Sequence, residues 1–176
     1  MKKFFLLFIM TGLFLQSCFG QKKPLAIGDT VPNFSLRDQD DSLFNIKDYI
    51  GKKILVIYFY PKDESLVCTK EACTFRDSIT AFTKAGAAVI GINSGSVQSH
   101  REFQQKYKLL FTLLSDPEDK VMKMFGIKSG VISGRVTFII DRNGKIVFTF
   151  NSLIHGPEHA QKALEFIRKM VGNSNK

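Results

Sequence analysis

The sequence predicts an α/β sandwich, and three observations carry that expectation. Apolar runs of strand length, at residues 54–60, 87–93 and 111–114, alternate with segments whose apolar residues recur every three or four positions. The chain then ends in an Asn-Gly turn between two apolar runs, followed by a last helical segment. Its 176 residues, 44% of them hydrophobic, suit one domain with a sizeable core, and no internal repeat or low-complexity tract interrupts them.

Residues 1–20 are set apart from the fold. Lys2 and Lys3 precede an apolar run at residues 4–15, which has the length of a secretory signal and is short for a membrane span. Two processing routes are open. Cleavage after Gly20 leaves Gln21 first; alternatively Leu15-Gln16-Ser17-Cys18 resembles a bacterial lipobox, with Cys18 as a lipid-bearing membrane tether. The expected location is therefore exported, in a bacterial periplasm or as a membrane-anchored lipoprotein, with a single domain over residues 21–176. Either route leaves two thiols, Cys68 and Cys73, in a compartment that permits disulfides.

Within that domain, residues 22–30 lead into the fold. Residues 34–36 and 43–45 flank Asp38-Gln39-Asp40-Asp41, a turn cluster that predicts a small hairpin, and residues 46–49 fit one helical turn. Residues 54–60 read as a buried strand ended by Pro61, which has no N–H for a ladder. A helix is expected from near Cys68, with Ala72, Phe75, Ile79 and Phe82 on one face and Gly86 closing it. Residues 87–93 form the next strand, and His100 opens a helix that carries Phe103 and Tyr107 on one face. After a short strand at 111–116, Asp116 and Pro117 read as N-cap and first residue of a helix with an apolar stripe of Val121, Met124 and Phe125. Residues 135–141 and 145–150 form the hairpin around Asn143-Gly144. Residues 158–170 form the last helix, with Ala160, Ala163, Leu164, Ile167 and Val171 inward and residues 172–176 frayed. His155 and His159, separated by Gly156-Pro157, read as surface or packing residues and not as a metal site.

Chemistry concentrates at Cys68. A strand–loop–helix junction offers free N–H groups and the positive end of the helix dipole, which favour an anion, and a thiolate is such an anion. Lys62 adds to this effect, while Asp63 and Glu64 oppose it. Five residues along an intact helix separate the Cα atoms of Cys68 and Cys73 by about 8.6 Å, beyond the roughly 7 Å that a disulfide spans. If the two cysteines pair, the first helical turn must unwind. A nucleophilic thiol with a partner reached only by local unfolding suggests a redox cycle. The net charge of +9 comes from lysines and arginines scattered among acids, which reads as solvated surface, and no nucleic-acid partner is expected.

At this point the motifs resemble a known family. Pro61-x-x-x-Ser65-x-x-Cys68 is similar to the active-site loop of peroxiredoxins, and the Cys68/Cys73 spacing to their PrxQ, or bacterioferritin comigratory protein, subfamily. Gly28-Asp29-Thr30-Val31-Pro32-Asn33-Phe34, Ser99-His100 with Phe103, residues 111–116, and Arg135-Val136-Thr137-Phe138-Ile139-Ile140-Asp141 extend the likeness over about residues 25–171. Leu66-Val67 departs from the subfamily's usual Pro-Gly. The resemblance implies a thioredoxin-like fold, a central mixed β-sheet flanked by helices, with the peroxiredoxin N-terminal hairpin. It implies a thiol peroxidase that reduces hydrogen peroxide and organic hydroperoxides without cofactor or metal, as a monomer or weak dimer. Cys68 is then the peroxidatic residue and Cys73 the resolving one, closing a Cys68–Cys73 disulfide that a thioredoxin-like dithiol reduces. Arg135 and the Ser65 hydroxyl hold the peroxide, and Pro61 shields the thiolate.

Two other classes fit the residues less well. An exported thioredoxin-like thiol–disulfide oxidoreductase normally carries C-x-x-C beside a tryptophan, with a cis-proline before the facing strand. This chain has no tryptophan, four residues between its cysteines, and Val136 before Thr137. A metal-handling protein would join Cys68 and Cys73 to a histidine, but none lies near them in sequence.

Overall fold

A computed structural model describes residues 24–128 and 134–173. Seven strands form one sheet: β1 (Ser35–Asp38), β2 (Leu43–Asn45), β3 (Ile54–Phe59), β4 (Ala87–Asn93), β5 (Thr112–Ser115), β6 (Val136–Ile140) and β7 (Ile146–Asn151). Five helices accompany them: α1 (Leu66–Asp77), α2 (Ile79–Lys84), α3 (Val97–Tyr107), α4 (Lys120–Met124) and α5 (Gly156–Asn173). The spatial strand order is β2-β1-β5-β4-β3-β6-β7. β3, β4 and β5 run parallel and the other pairings are antiparallel, so the sheet is mixed.

β3 sits inside the sheet and is buried on both faces, which is why its six residues are all apolar or aromatic. Leu55, Ile57 and Phe59 point into one core layer with Phe34, Phe125 and Phe138. Ile54, Val56 and Tyr58 point into the other, with Phe75, Phe82, Phe103 and Ile167. Each such side chain taken fully out of water contributes about 1.5–3 kcal/mol. The N-terminal hairpin forms as expected. Asp38 Oδ1 accepts from the N–H groups of Asp40 and Ser42, which fixes the turn, and β1 joins β5 through Arg37↔Ser115. At the other edge Asp141 Oδ1 accepts from the N–H groups of Asn143 and Lys145, while Gly144 takes φ 76°, so the reversal needs its glycine.

Several local expectations are corrected. The helix expected to run to Gly86 is two helices, broken at Ser78, though Phe75 and Phe82 still share the buried layer. The helix expected at Asp116 begins at Lys120, because Asp119 adopts a left-handed φ of 53°. Asp116 still serves that helix, since its Oδ2 accepts from the Met122 N–H at 2.9 Å. The buried stripe there is Val121, Met122 and Phe125, while Met124 is exposed.

The expected location is also corrected. Among the described residues no helix is long and apolar enough to cross a membrane. The buried apolar side chains pack instead against the two faces of the sheet. The segment on which the periplasmic or lipoprotein expectation rested, with Cys18, lies outside the described residues.

Candidate active site

Three connections meet at one end of the sheet. β3 and β6 are antiparallel with Phe59 opposite Val136, and β6 and β7 are antiparallel with Val136 opposite Asn151. The loop leaving β3, the residue before β6, and the turn between β7 and α5 are therefore neighbours. Cys68, Arg135 and residues 152–156 are brought together by sheet register.

The loop from Pro61 to Ser65 is anchored through Asp63. Its carboxylate is buried and accepts from Tyr60 Oη (2.7 Å), Asn93 Nδ2 (3.0 Å) and Ser99 Oγ (2.6 Å), and pairs with His100 Nδ1 at 2.8 Å. Burial pushes this carboxyl up, but the hydrogen bonds from His100, Ser99 and Tyr60 outweigh it and hold its pKa below the ordinary value. Asp63 thus fixes the loop. Glu64 then turns the chain with φ 58°, and Ser65, extended, becomes the N-cap of α1. Its hydroxyl caps no helix N–H. Pro61 and Ser65 are half-buried.

Cys68 is the third residue of α1 and only 1% exposed. Arg135, the residue that the resemblance places on the peroxide, is 2% exposed. Its guanidinium is held three ways: Nε donates to the Leu153 carbonyl (3.1 Å), Nη1 to Glu71 Oε2, and Nη2 to Cys68 Sγ (3.2 Å). Burial works against the charged guanidinium, but Glu71 and Cys68 outweigh it and its pKa is raised. A fixed cation therefore faces the sulfur in a site nearly closed to water, where charge interactions are strong. Cys73, five residues on, is half-buried and unpaired.

One charged residue of this cluster escaped the reading of the sequence. Glu71 is fully buried on α1, one turn from Cys68. Burial pushes its carboxyl up to about 8, against the pull of Arg135. Its Oε2 accepts the guanidinium's hydrogen bond and so holds Arg135 in place beside the sulfur. Among the described residues Glu71 Oε1 has no hydrogen-bond partner, and it lies 3.7 Å from His159 Nδ1. The signal was available, since a position three residues after Cys68 shares its helix face.

His159 is fully buried, a packing residue as one of its two expected roles had it, whereas His155 is exposed. Its Nε2 donates to the Ser152 carbonyl at 3.0 Å, so Nδ1 accepts from Thr137 Oγ1 at 2.8 Å. Burial lowers its pKa to about 4, the Ser152 carbonyl opposing that and the Arg135 charge adding to it. The folded value is depressed, so this stabilisation is present above the unfolded value of about 6.5 and is lost as pH falls toward 4. His159→Gln removes the titration and keeps an amide donor. Denaturant unfolding at pH 7, 5.5 and 4 is expected to show wild type losing up to about 3 kcal/mol more than the variant over that window. Equal pH dependence of the two proteins would show that His159 takes up its proton in the folded state as readily as in the unfolded one.

A mixed sheet of thioredoxin type holds a closed-off thiol in the first turn of a helix, against a buried guanidinium, an arrangement suited to a cysteine-dependent peroxidase. Comparison with known proteins agrees. Residues 27–149 match the AhpC/TSA family. Peroxiredoxin Q of Suaeda salsa, a chloroplast protein, is 44% identical over 146 residues, covering 81% of this chain and 68% of its own. Its counterpart in Arabidopsis thaliana is 43% identical over 144 residues, covering 80% and 66%. Among solved structures, the peroxidoxin BcpB of Mycobacterium tuberculosis superposes with a TM-score of 0.77 at 33% identity, covering 81% of this chain and 96% of that one. A cysteine-to-serine mutant of Xylella fastidiosa PrxQ gives 0.78 at 29%, covering 85% and 99%. The chain belongs to the AhpC/TSA family of peroxiredoxins and matches its PrxQ type closely. It is a thiol peroxidase that works through a catalytic cysteine. The alternative of an exported thiol–disulfide oxidoreductase finds no support in these matches.

Proposed function

We propose that Cys68 is the peroxidatic residue and Cys73 the resolving one, in the reduction of hydrogen peroxide and organic hydroperoxides. The observation that carries this reading is the 3.2 Å contact from Arg135 Nη2 to Cys68 Sγ. The Cys68 thiolate attacks the distal peroxide oxygen, the O–O bond breaks, and the leaving alkoxide or hydroxide takes a proton to become alcohol or water. Arg135 stabilises the charge that develops on the two oxygens. The Ser65 hydroxyl, bound to no helix N–H, is free to donate to the peroxide, and Pro61 shapes the loop that keeps water from the sulfur. The Cys73 thiol then condenses with the Cys68 sulfenic acid, forming the disulfide and releasing water. A thioredoxin-like dithiol reduces the disulfide by exchange. Every group named comes from one chain, so a monomer or weak dimer suffices, and residues 21–176 act as a single domain. No metal or organic cofactor enters these steps.

The two cysteines lie on one continuous helix, α1. A disulfide between them requires α1 to unwind near residues 67–72, because about 8.6 Å separates such positions in an intact helix. Treating the reduced protein with one equivalent of peroxide is expected to produce a 68–73 disulfide in peptide mapping. Hydrogen exchange should show protection of amides 67–73 lost on oxidation. A disulfide to another chain, or equal protection in both states, would overturn the intramolecular route.

A further inference from the structure

His100, on α3, is a fully buried titratable group with no part in the reaction steps. Its ring stands between two oxygens. Nδ1 is 2.8 Å from Asp63 Oδ2, and Nε2 is 3.1 Å from the Leu114 carbonyl. A backbone carbonyl only accepts, so Nε2 carries a proton. The contact at Nδ1 then needs a second proton, either on the ring or on Asp63. Asp63 is poorly placed to hold it, because three other donors converge on its carboxylate. Tyr60 Oη and Asn93 Nδ2 donate to Oδ1, and Ser99 Oγ donates to Oδ2. The Asn93 amide is oriented for this, since its oxygen accepts the Gly95 N–H. So many donors favour the charged carboxylate. Both protons therefore sit on the ring, and the contact is a buried ion pair whose remaining polar atoms are satisfied.

That pair joins the reactive loop to the rest of the fold. His100 belongs to α3, Leu114 to β5 and Asn93 to the end of β4, while Asp63 lies in the loop between β3 and α1. The packing leaves no slack there. A Cβ on Gly95 would stand 3.0 Å from His100 Cε1 and 3.1 Å from Asp63 Oδ2. Two residues after Asp63 comes Ser65, whose carbonyl accepts the Thr69 N–H at 2.8 Å and so starts the helix that carries Cys68. Arg135 is positioned independently, from the start of β6 and the Leu153 carbonyl. The alignment of the sulfur and the Ser65 hydroxyl with the guanidinium thus depends on where the ion pair holds the loop.

We propose that His100 is a positioning residue held as a buried imidazolium, which clamps Asp63 and thereby sets the loop that presents Ser65 and Cys68 to the peroxide. This rests on Cys68 as the peroxidatic residue. The first test is long-range proton–nitrogen correlation spectroscopy of the histidine rings in the reduced protein near neutral pH, with His100 assigned by its loss in His100→Gln. His100 should show both nitrogens protonated. His159, which accepts from the Thr137 hydroxyl on one side, should show one. In Asp63→Asn, whose amide can donate to Nδ1, the His100 ring should drop to one proton. The second test is single-turnover oxidation of Cys68 by hydrogen peroxide, read by rapid quench and mass spectrometry. A glutamine amide is uncharged, and its nitrogen serves one of the two acceptors. His100→Gln should therefore slow oxidation about 10-fold, part of the roughly 100-fold that a 1 Å misplacement brings. The His100→Gln, Asp63→Asn double variant should be no slower than the slower single one, because both substitutions act through one contact. Ile146→Val, a core change at the opposite end of the sheet, should leave the rate unchanged. A wild-type His100 ring with one bare nitrogen overturns the proposal. So does a folded His100→Gln with the wild-type rate, an equal loss in Ile146→Val, or additive losses in the double variant. If Cys68 fails to react in wild type, the peroxidatic assignment falls and the positioning role with it, whatever the ring shows.

Discussion

Cys68→Ser is expected to abolish peroxide consumption. The substitution changes one atom, and the hydroxyl fits the space that the thiol occupies in the first turn of α1. Arg135 can still donate to the serine oxygen, so the three-way hold on the guanidinium survives and the fold should be unaffected. What is lost is the nucleophile. A serine hydroxyl stays protonated near neutral pH and has no general base beside it here. Glu71, the nearest carboxyl, is pushed up to about 8 by burial and is engaged by Arg135. The assay is peroxide consumption by the purified variant with a dithiol reductant, alongside Cys73→Ser. That second variant should react once and then stall as a sulfenic acid open to over-oxidation. Substantial turnover by Cys68→Ser would end the assignment of Cys68, and the family's catalytic cysteine would have to be Cys73.

The reasons why some of this site was legible in the sequence and some was not are physical. Cys68 was visible because it follows an apolar strand stopped by proline, while Arg135 was singled out only by the family resemblance of residues 135–141. β3 and β6 were legible as strands, but their antiparallel register, which sets Phe59 opposite Val136, was not. That register is what turns Arg135 from a strand-end residue into a buried one. Glu71 was passed over because an acid between apolar helix positions reads as surface until its cation, 64 residues away, is known. The same holds for Asp63, whose partner His100 lies 37 residues on. The sequence showed Asp63 only as a charge near the thiolate; the fold adds that it anchors the loop. The break at Ser78 was hidden because the three-and-four spacing runs on through it, and the late start of α4 because Asp119, not Asp116, takes the left-handed turn. Patterns with a period of a few residues were readable; pairings across the fold were not.

Arg135→Met is expected to slow the oxidation of Cys68 by about 100-fold, the scale for removing one well-placed donor to developing charge. Methionine replaces the bulk and the flexible stem but not the cation. The Leu153 carbonyl and Glu71 each lose a donor, which should cost about 1–3 kcal/mol of stability for the groups left unpaired. The cost stays in that range because Glu71 can become neutral: burial already raises its pKa to about 8, and loss of the guanidinium raises it further. The protein should therefore remain folded at assay temperature, with the defect in the rate. Arg135→Lys separates charge from geometry. A lysine ammonium restores the cation but not the fork that serves Leu153, Glu71 and Cys68 together. Its rate should fall between wild type and Arg135→Met if positive charge near the sulfur is what counts. It should match Arg135→Met if the orientation of Nη2 toward the reacting oxygens is what counts. Single-turnover oxidation by hydrogen peroxide, which bypasses the reductant, makes the comparison direct. An unchanged rate in a folded Arg135→Met would reduce the 3.2 Å contact to a packing arrangement and leave the helix N-terminus as the source of the thiolate's reactivity.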